Sequence, residues 1–248
     1  MRAASAIIGL ALLMMASPLS ASEAATDSEA RIGPLAPPGA PASAFPKPAR
    51  PVASIVADQW STEEARDRDG EAAEVMQVLD IHSGMSVADV GAGGGYYTVR
   101  VAKKVGASGH VIAEDVVRDY LEGLRQRLER EHLDNVRLDL GEPHDPRLPP
   151  RSVDLVLMVH MYHEVEQPYG LLYNLLPALR PGARVAVIDL DQATEIHGTP
   201  RKLLLCEFHA LGFRQTHWGW LRAKKEYLAV FAPPAQRIAP EQIKACTP

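Results

Sequence analysis

Cysteine is nearly absent from this 248-residue chain, which has Cys206 and Cys246 and no others. Two thiols make neither a disulfide framework nor a structural zinc site built on thiolates. Cys206 follows Leu203-Leu204-Leu205 in an expected helix and reads as a small core hydrophobe, while Cys246 falls in the C-terminal tail. An oxidising compartment would permit them to pair, and sequence leaves that open. An excess of positive charge is also missing. With 26 Lys and Arg against 31 Asp and Glu, the formal charge is -5, which offers no general attraction for phosphate backbones. No nucleic-acid partner is therefore expected.

A membrane-spanning run is lacking as well. The apolar stretch Ala3 to Ala16 follows Arg2 and precedes small residues around Ser20 to Ala25; it is too short to cross a bilayer comfortably. It reads as a secretory leader over residues 1–24, with no stable span after cleavage and an exported, periplasmic or secreted product. No Cys follows the run, so lipid anchoring is unsupported. Between residues 25 and 54 large apolar residues are scarce and Pro and Ala abundant, as in Gly33-Pro34-Leu35-Ala36-Pro37-Pro38-Gly39, which predicts a disordered linker.

What remains is one α/β domain over 55–235, with a tail over 236–248. Ser61-Thr62-Glu63-Glu64 predicts a helix start with acidic first-turn residues, and a second helix is expected over Gly70 to Leu79. Beyond it, β-rich runs alternate with amphipathic ones, the pattern of stacked βαβ units and a mostly parallel sheet. Strands are expected at Ser86–Val90, His110–Glu114, Val136–Asp139, Val153–Val159, Arg184–Leu190, Phe213–His217 and Tyr227–Phe231. Helices are expected at Tyr96–Lys104, Val117–His132, Pro168–Leu179 and Pro200–Leu211. The last two strands read as an antiparallel hairpin closing one edge.

The sequence Asp89-Val90-Gly91-Ala92-Gly93-Gly94-Gly95-Tyr96 places a glycine turn between one strand and one helix. Glycine reaches positive φ and has no Cβ, so such a turn is tight and lets a ligand approach the backbone at a helix N-terminus. About twenty residues on, the second strand ends in Glu114-Asp115, where an acid can accept hydrogen bonds from ribose hydroxyls. Together these favour a nucleoside ligand. The dinucleotide fingerprint wants a third glycine where this chain has Tyr96, and the match is Gly91-x-Gly93-x-Gly95 instead.

Preceded by Asp89, that pattern resembles motif I of the class I S-adenosylmethionine-dependent methyltransferases. The resemblance runs from about Val75 to Phe231 and includes Leu179-Arg180-Pro181-Gly182 and Ala210-Leu211-Gly212-Phe213. It implies a doubly wound, mostly parallel seven-stranded sheet with an antiparallel last strand, S-adenosylmethionine as cofactor and a small-molecule methyl acceptor. It also implies that the turn at Gly91, Gly93 and Gly95 passes beneath the methionine portion and that Asp115 grips the ribose, with Glu114 competing. Asp145 or Glu142, after the third strand, would meet the adenine. Arsenite methylation resembles this architecture but uses several thiolates in the known members, which two badly spaced cysteines fit poorly.

Residues past the fourth strand should face the transferred group, since ligands bind outside the carboxyl ends of such strands. Here stand His160-Met161-Tyr162-His163-Glu164. Histidine suits removal of a proton from a weak nucleophile, so His160 is the first catalytic candidate and His163 the second, with Glu164 orienting. The donors of His160-x-x-His163-Glu164 differ from the metalloprotease His-Glu-x-x-His helix, and no metal site is expected. Trp60, Glu63, Glu64, Arg66, Asp67 and Glu71 are read as a helical lid or a solvated helix. Tyr96 and Tyr97 are read as cofactor contacts or packing, and His197-Gly198-Thr199-Pro200 as a pocket border or a loop. Because the cofactor is made in the cytoplasm while the leader predicts export, two other readings stand beside catalysis. They are a non-catalytic binder of an adenosyl compound and an oxidoreductase using NAD.

Overall fold

The computed structural model describes residues 35–56, 62–221 and 226–247; the expected leader, the start of the expected linker, Ser61 and Trp60 lie outside the described residues. Helices α1 (Glu63–Asp69) and α2 (Glu71–Val78) precede strand β1 (Ser86–Val90) and helix α3 (Tyr96–Val105). Strand β2 (His110–Asp115), helix α4 (Arg118–Glu131) and strand β3 (Val136–Leu140) complete the first half. The second half runs β4 (Val153–Val159), α5 (Pro168–Leu175), β5 (Leu179–Leu190), α6 (Arg201–Ala210), β6 (Arg214–Trp220) and β7 (Glu226–Ala232). Thr62 starts α1 as its N-cap, accepting from the Ala65 amide, and Gly70 joins α1 to α2 with φ 72°.

The strands form one sheet in the order β3-β2-β1-β4-β5-β7-β6. Strands β1 to β5 pair in parallel, whereas β7 is antiparallel to both β5 and β6. The expected hairpin is present, with β7 inserted inward and β6 left as the edge. Alternation in the central strands explains the two covering layers. Val156, Met158, Val185 and Val187 pack with Tyr169 of α5 and Phe208 of α6. Their neighbours Leu155, Leu157, Ala186 and Ile188 pack with Val75 of α2 and Val101 of α3. Apolar residues at every position are what a strand covered on both faces needs. Strand order reverses between β1 and β4, and in such sheets a crevice opens there at the carboxyl ends. Among the described residues, no helix is long and apolar enough to cross a membrane.

Three expectations change. The described part of the Pro/Ala-rich segment is a packed strap, because the domain itself satisfies its backbone groups. Gly39 N donates to Asp145 at 2.7 Å, Ala40 N to Asn174 at 2.9 Å and Ala53 N to the His163 carbonyl at 3.1 Å, while Phe45 is buried in the core. Its main anchor is Arg50, which meets Glu207 at 3.0 Å with both side chains 1% exposed. The tail is fastened too, since Cys246 forms a disulfide with Cys206 and Ile243 is buried. Cys206 is thus a cross-link on an exposed face of α6, not a core hydrophobe. Finally, α5 ends at Leu175, a 3-10 turn covers Leu176–Ala178, and β5 begins at Leu179 rather than Arg184. Pro177 lies in that turn, and Pro181-Gly182 lies within β5.

Candidate active site and cofactor cavity

A cavity of about 550 Å³ opens at the carboxyl ends of β1, β2, β4 and β5, within the size range of small-molecule sites. Its first wall is the glycine turn. Gly91, Gly93 and Gly95 have φ of 72°, 52° and 84°, a left-handed backbone that side chains rarely adopt. A Cβ at Gly91 would stand 2.8 Å from Met161 Cγ, and one at Gly95 would strike Leu124. Gly91 and Gly93 line the cavity, whereas Gly95 lets α4 pack close beneath the turn. The amides that lead into the turn are already used: those of Gly91 and Ala92 bond the Glu114 carbonyl at 2.9 Å, and Gly93 N bonds Asp115 Oδ2 at 2.9 Å. What the turn offers a ligand is therefore a surface whose largest side chain is the Ala92 methyl.

Asp89, Glu114 and Asp115 all border this end. Asp89 Oδ2 accepts from Thr98 Oγ1 at 2.6 Å, tying β1 to α3, and burial with repulsion from Asp115 pushes its carboxyl up to about 6. Glu114 packs against Gly141, and burial with the Asp115 charge raises it well above the carboxylate range. Asp115 keeps both oxygens on backbone amides, of Gly93 and Val117, and burial raises its carboxyl. Of the two acids proposed after β3, Glu142 lines the cavity. Asp145 does not reach it. Its oxygens accept from Gly39 N and Arg147 N, so it secures the strap and the expectation that it could meet the adenine is set aside.

The N-terminal helices close one side. Arg66, Asp69 and Glu71 line the cavity, and α1 is moored by Glu63 to Arg127 at 2.9 Å and by Asp67 to Arg100 at 2.8 Å. Tyr96 and Tyr97 line the cavity too, and their hydroxyls bond Asp67 and Glu71, both at 3.0 Å. The pair therefore packs against α1 and α2 while lining the cavity.

At the other end, the two histidines expected near the reaction enter separate clusters. His160 sits just beyond β4 with φ 52°, its Nε2 3.6 Å from Glu226 and 3.9 Å from Glu71. Burial holds its imidazolium below the ordinary histidine value, and burial together with the Glu71 charge pushes Glu226 up to about 7. Burial would raise Glu71 as well, but Arg66, bonding it at 2.7 and 2.9 Å, holds it below the usual range. His163 is 3% exposed and its Nδ1 lies 3.0 Å from Asp189, whose other oxygen accepts from Thr199 Oγ1 at 2.7 Å. His163 Nε2 faces Glu164 at 4.0 Å, and the His197 ring stands edge-on at 5.4 Å.

Asp189 and Glu226 were not foreseen. A lone acid ending the apolar run Val185-Ala186-Val187-Ile188 was a readable signal for Asp189. Glu226 had none, because it reaches this end only through the antiparallel pairing of β7, which sets it opposite Leu190.

The cradle fits an adenosyl cofactor: a turn with no side chain larger than the Ala92 methyl, an acid at the end of β2 and a second acid beyond β3 line one cavity. A family model described as a methyltransferase domain matches residues 81–230. The chain is 31% identical over 112 residues to an arsenite methyltransferase of Halobacterium salinarum, covering 44% of this chain and 28% of that one. It is 28% identical over 119 residues to a demethylmenaquinone methyltransferase of Listeria welshimeri, covering 48% and 50%. The chain thus spans half or less of those curated relatives. A methyltransferase structure from Aquifex aeolicus superposes with a TM-score of 0.59 at 24% identity, over 65% of this chain and 88% of that one. The [4+2]-cyclase SpnF superposes with a TM-score of 0.60 at 12% identity, over 76% and 90%, so the same fold also carries another chemistry. With more than half of its length matched by the methyltransferase-domain model, this chain belongs to the class I S-adenosylmethionine-dependent methyltransferase family.

Proposed function

We propose that the protein moves a methyl group from S-adenosylmethionine to a small molecule outside the cytoplasm. The observation that carries this reading is continuity: the glycine turn and Asp115 share one cavity with His160. When bound, the cofactor supplies an electrophilic sulfonium methyl group. Gly91 and Gly93 would leave room for its methionine portion, Asp115 would accept from its ribose, and Glu142, which lines the same cavity, would meet its adenine. The protein's remaining tasks are positioning and, for a weak nucleophile, taking a proton. His160 would perform the second. Burial keeps its imidazole uncharged near neutral pH, and Glu226 beside Nε2 can share the proton it gains.

The acceptors named for the two relatives differ, so neither is carried over. Arsenite in particular is disfavoured, because the disulfide occupies both thiols the chain has. That disulfide supports export, since such bonds persist in oxidising compartments, in keeping with the leader expected over residues 1–24.

Calorimetry with S-adenosylmethionine, S-adenosylhomocysteine and NAD, followed by transfer of labelled methyl to a metabolite extract, tests the proposal. Binding of both adenosyl compounds and label in a small molecule are expected. Binding of NAD alone would reject the cofactor, and adenosyl binding without turnover across the panel would reject catalysis.

A further inference from the structure

We infer that His163, Glu164 and His197 form a binding site for one divalent transition-metal ion of the zinc class on the acceptor side of the cavity. One donor atom from each residue lies within 4.8 Å of the others. Ligands about 2.0–2.2 Å from a single tetrahedral ion stand roughly 3.4 Å apart, so closure takes rotamer-scale shifts of about 1 Å. All three residues line the cavity, which leaves a fourth position open to it. Three protein ligands with one open position is the arrangement of catalytic rather than structural zinc.

The surroundings are those of a metal ligand set. A carboxylate can only accept, so His163 Nδ1 donates to Asp189, and the tautomer so selected has its lone pair on Nε2, toward Glu164 and His197. Asp189 is fully buried and fixed by Thr199 Oγ1 and the Leu190 amide at 2.7 and 2.8 Å. A buried carboxylate holding the far nitrogen of a ligating histidine is the usual outer partner of such sites. The turns that carry the ligands are also braced by the strap. Ala53 N bonds the His163 carbonyl, Val56 N bonds Glu164 Oε1 at 3.0 Å, and Pro51 accepts from Thr194 Oγ1 at 2.8 Å, one turn before His197. The Glu164 oxygen that Val56 N holds is the one facing His163 Nε2, and a carboxylate oxygen with one lone pair so engaged has another for an ion.

A second set of donors, Glu71, His160 and Glu226, is equally close. There the Arg66 guanidinium and the Tyr97 hydroxyl already hold Glu71, so a cation would have to displace a cation. The comparison assigns the metal to the His163 set. This departs from the expectation of no metal, because His197 lies 34 positions beyond His163 and no short motif joins them. Where the methyl-transfer reading holds, the open position would take an oxygen or sulfur donor of the acceptor and lower its pKa. Metal binding itself does not rest on that reading.

The test is metal binding by the whole untagged chain, stripped with chelator and titrated with zinc in the calorimeter and with cobalt(II) by visible absorption. One equivalent should bind, with a cobalt spectrum of low coordination number. Asp189→Asn should weaken binding roughly 10- to 100-fold, with larger losses for Glu164→Gln and His197→Asn, while His160→Asn binds as the parent does. His197 is half-exposed with φ 60°, a backbone that Asn tolerates, so His197→Asn decides where a buried variant fails to fold. No binding by the parent, parent-like affinity in His197→Asn, or loss in His160→Asn would each overturn the inference. Adenosyl affinity, measured alongside, separates this outcome from failure of the cofactor reading.

Discussion

The two ends of the cavity are built by different rules. At the cofactor end a short contiguous stretch does nearly everything: three glycines at positive φ bend the backbone, and one acid 22 positions beyond Gly93 closes the bend. At the acceptor end, side chains arrive from β5, β7, the N-terminal helix α2, the loop beyond β4 and the strap, so that His160 meets Glu71 and Glu226 while His163 meets Asp189. Main-chain shape suits a ligand common to a whole family. A wall assembled from distant segments can vary with the acceptor without disturbing that ligand.

The sharpest test of the division is His160→Asn, a substitution the left-handed backbone at φ 52° accepts. Loss of a general base should lower kcat by about 10²–10⁴ with little change in adenosyl affinity. The pH profile adds a sign. A base must be uncharged to act, so the rate should fall as pH drops through the His160 value, which burial places below that of an ordinary histidine. The variant should lose this acidic limb. A variant with the parent's limb and rate would remove His160 from the reaction and break the comparison at its acceptor end.

Stability should also divide. Arg50 is buried against Glu207 and bonds the carbonyls of Tyr162 and Val165, both at 3.2 Å, which places it behind the loop that carries His163. Arg50→Ala leaves a buried carboxylate without its cation, a change that costs about 3–5 kcal/mol in denaturant unfolding. Methyl transfer should suffer beyond this, because the strap then loosens. Reducing the disulfide, or replacing both cysteines by Ser, opens a loop 40 residues apart in sequence and should cost about 2–4 kcal/mol. Melting with and without reductant measures it. Adenosyl affinity should hold at full folding in both cases; a large loss would show that the two ends are coupled through the sheet.

The same division decides what could be read from sequence. Strands β1 and β4, the helix after the turn and the seven-stranded sheet were legible because alternation and helical periodicity are local signals. That the turn at Gly91 and Gly93 would meet Asp115 was legible because turn and acid come within one βαβ unit. The strap was not: Pro and Ala bury little apolar surface, and the partners of Gly39 and Ala40 are Asp145 and Asn174, more than a hundred positions away. Asp145 misled for the same reason, since an acid in a loop beyond β3 looks alike whether it faces a ligand or a backbone amide. The clusters around His160 and His163 depend on Asp189, Glu226 and His197, which only the pairing of β5 with β4, the pairing of β7 with β5 and the loop beyond β5 bring into reach.

The smallest effect tests the cofactor end itself. Asp115→Ala should weaken S-adenosylmethionine binding by about 2 kcal/mol, near thirtyfold in Kd, by removing charge-assisted contacts. The structure complicates the reading, because Asp115 also accepts from Gly93 N and Val117 N, so the variant could loosen the turn instead. Asp115→Asn separates the two. Its side-chain oxygen can still accept from one amide, while its amide nitrogen repels the donor it faces and the charge is gone. If Asp115 serves the ribose, both variants lose affinity for S-adenosylhomocysteine as well, well beyond what their fall in melting accounts for. If it serves only the turn, melting falls with affinity in both, and the cofactor end turns out to depend on side chains as much as the acceptor end does.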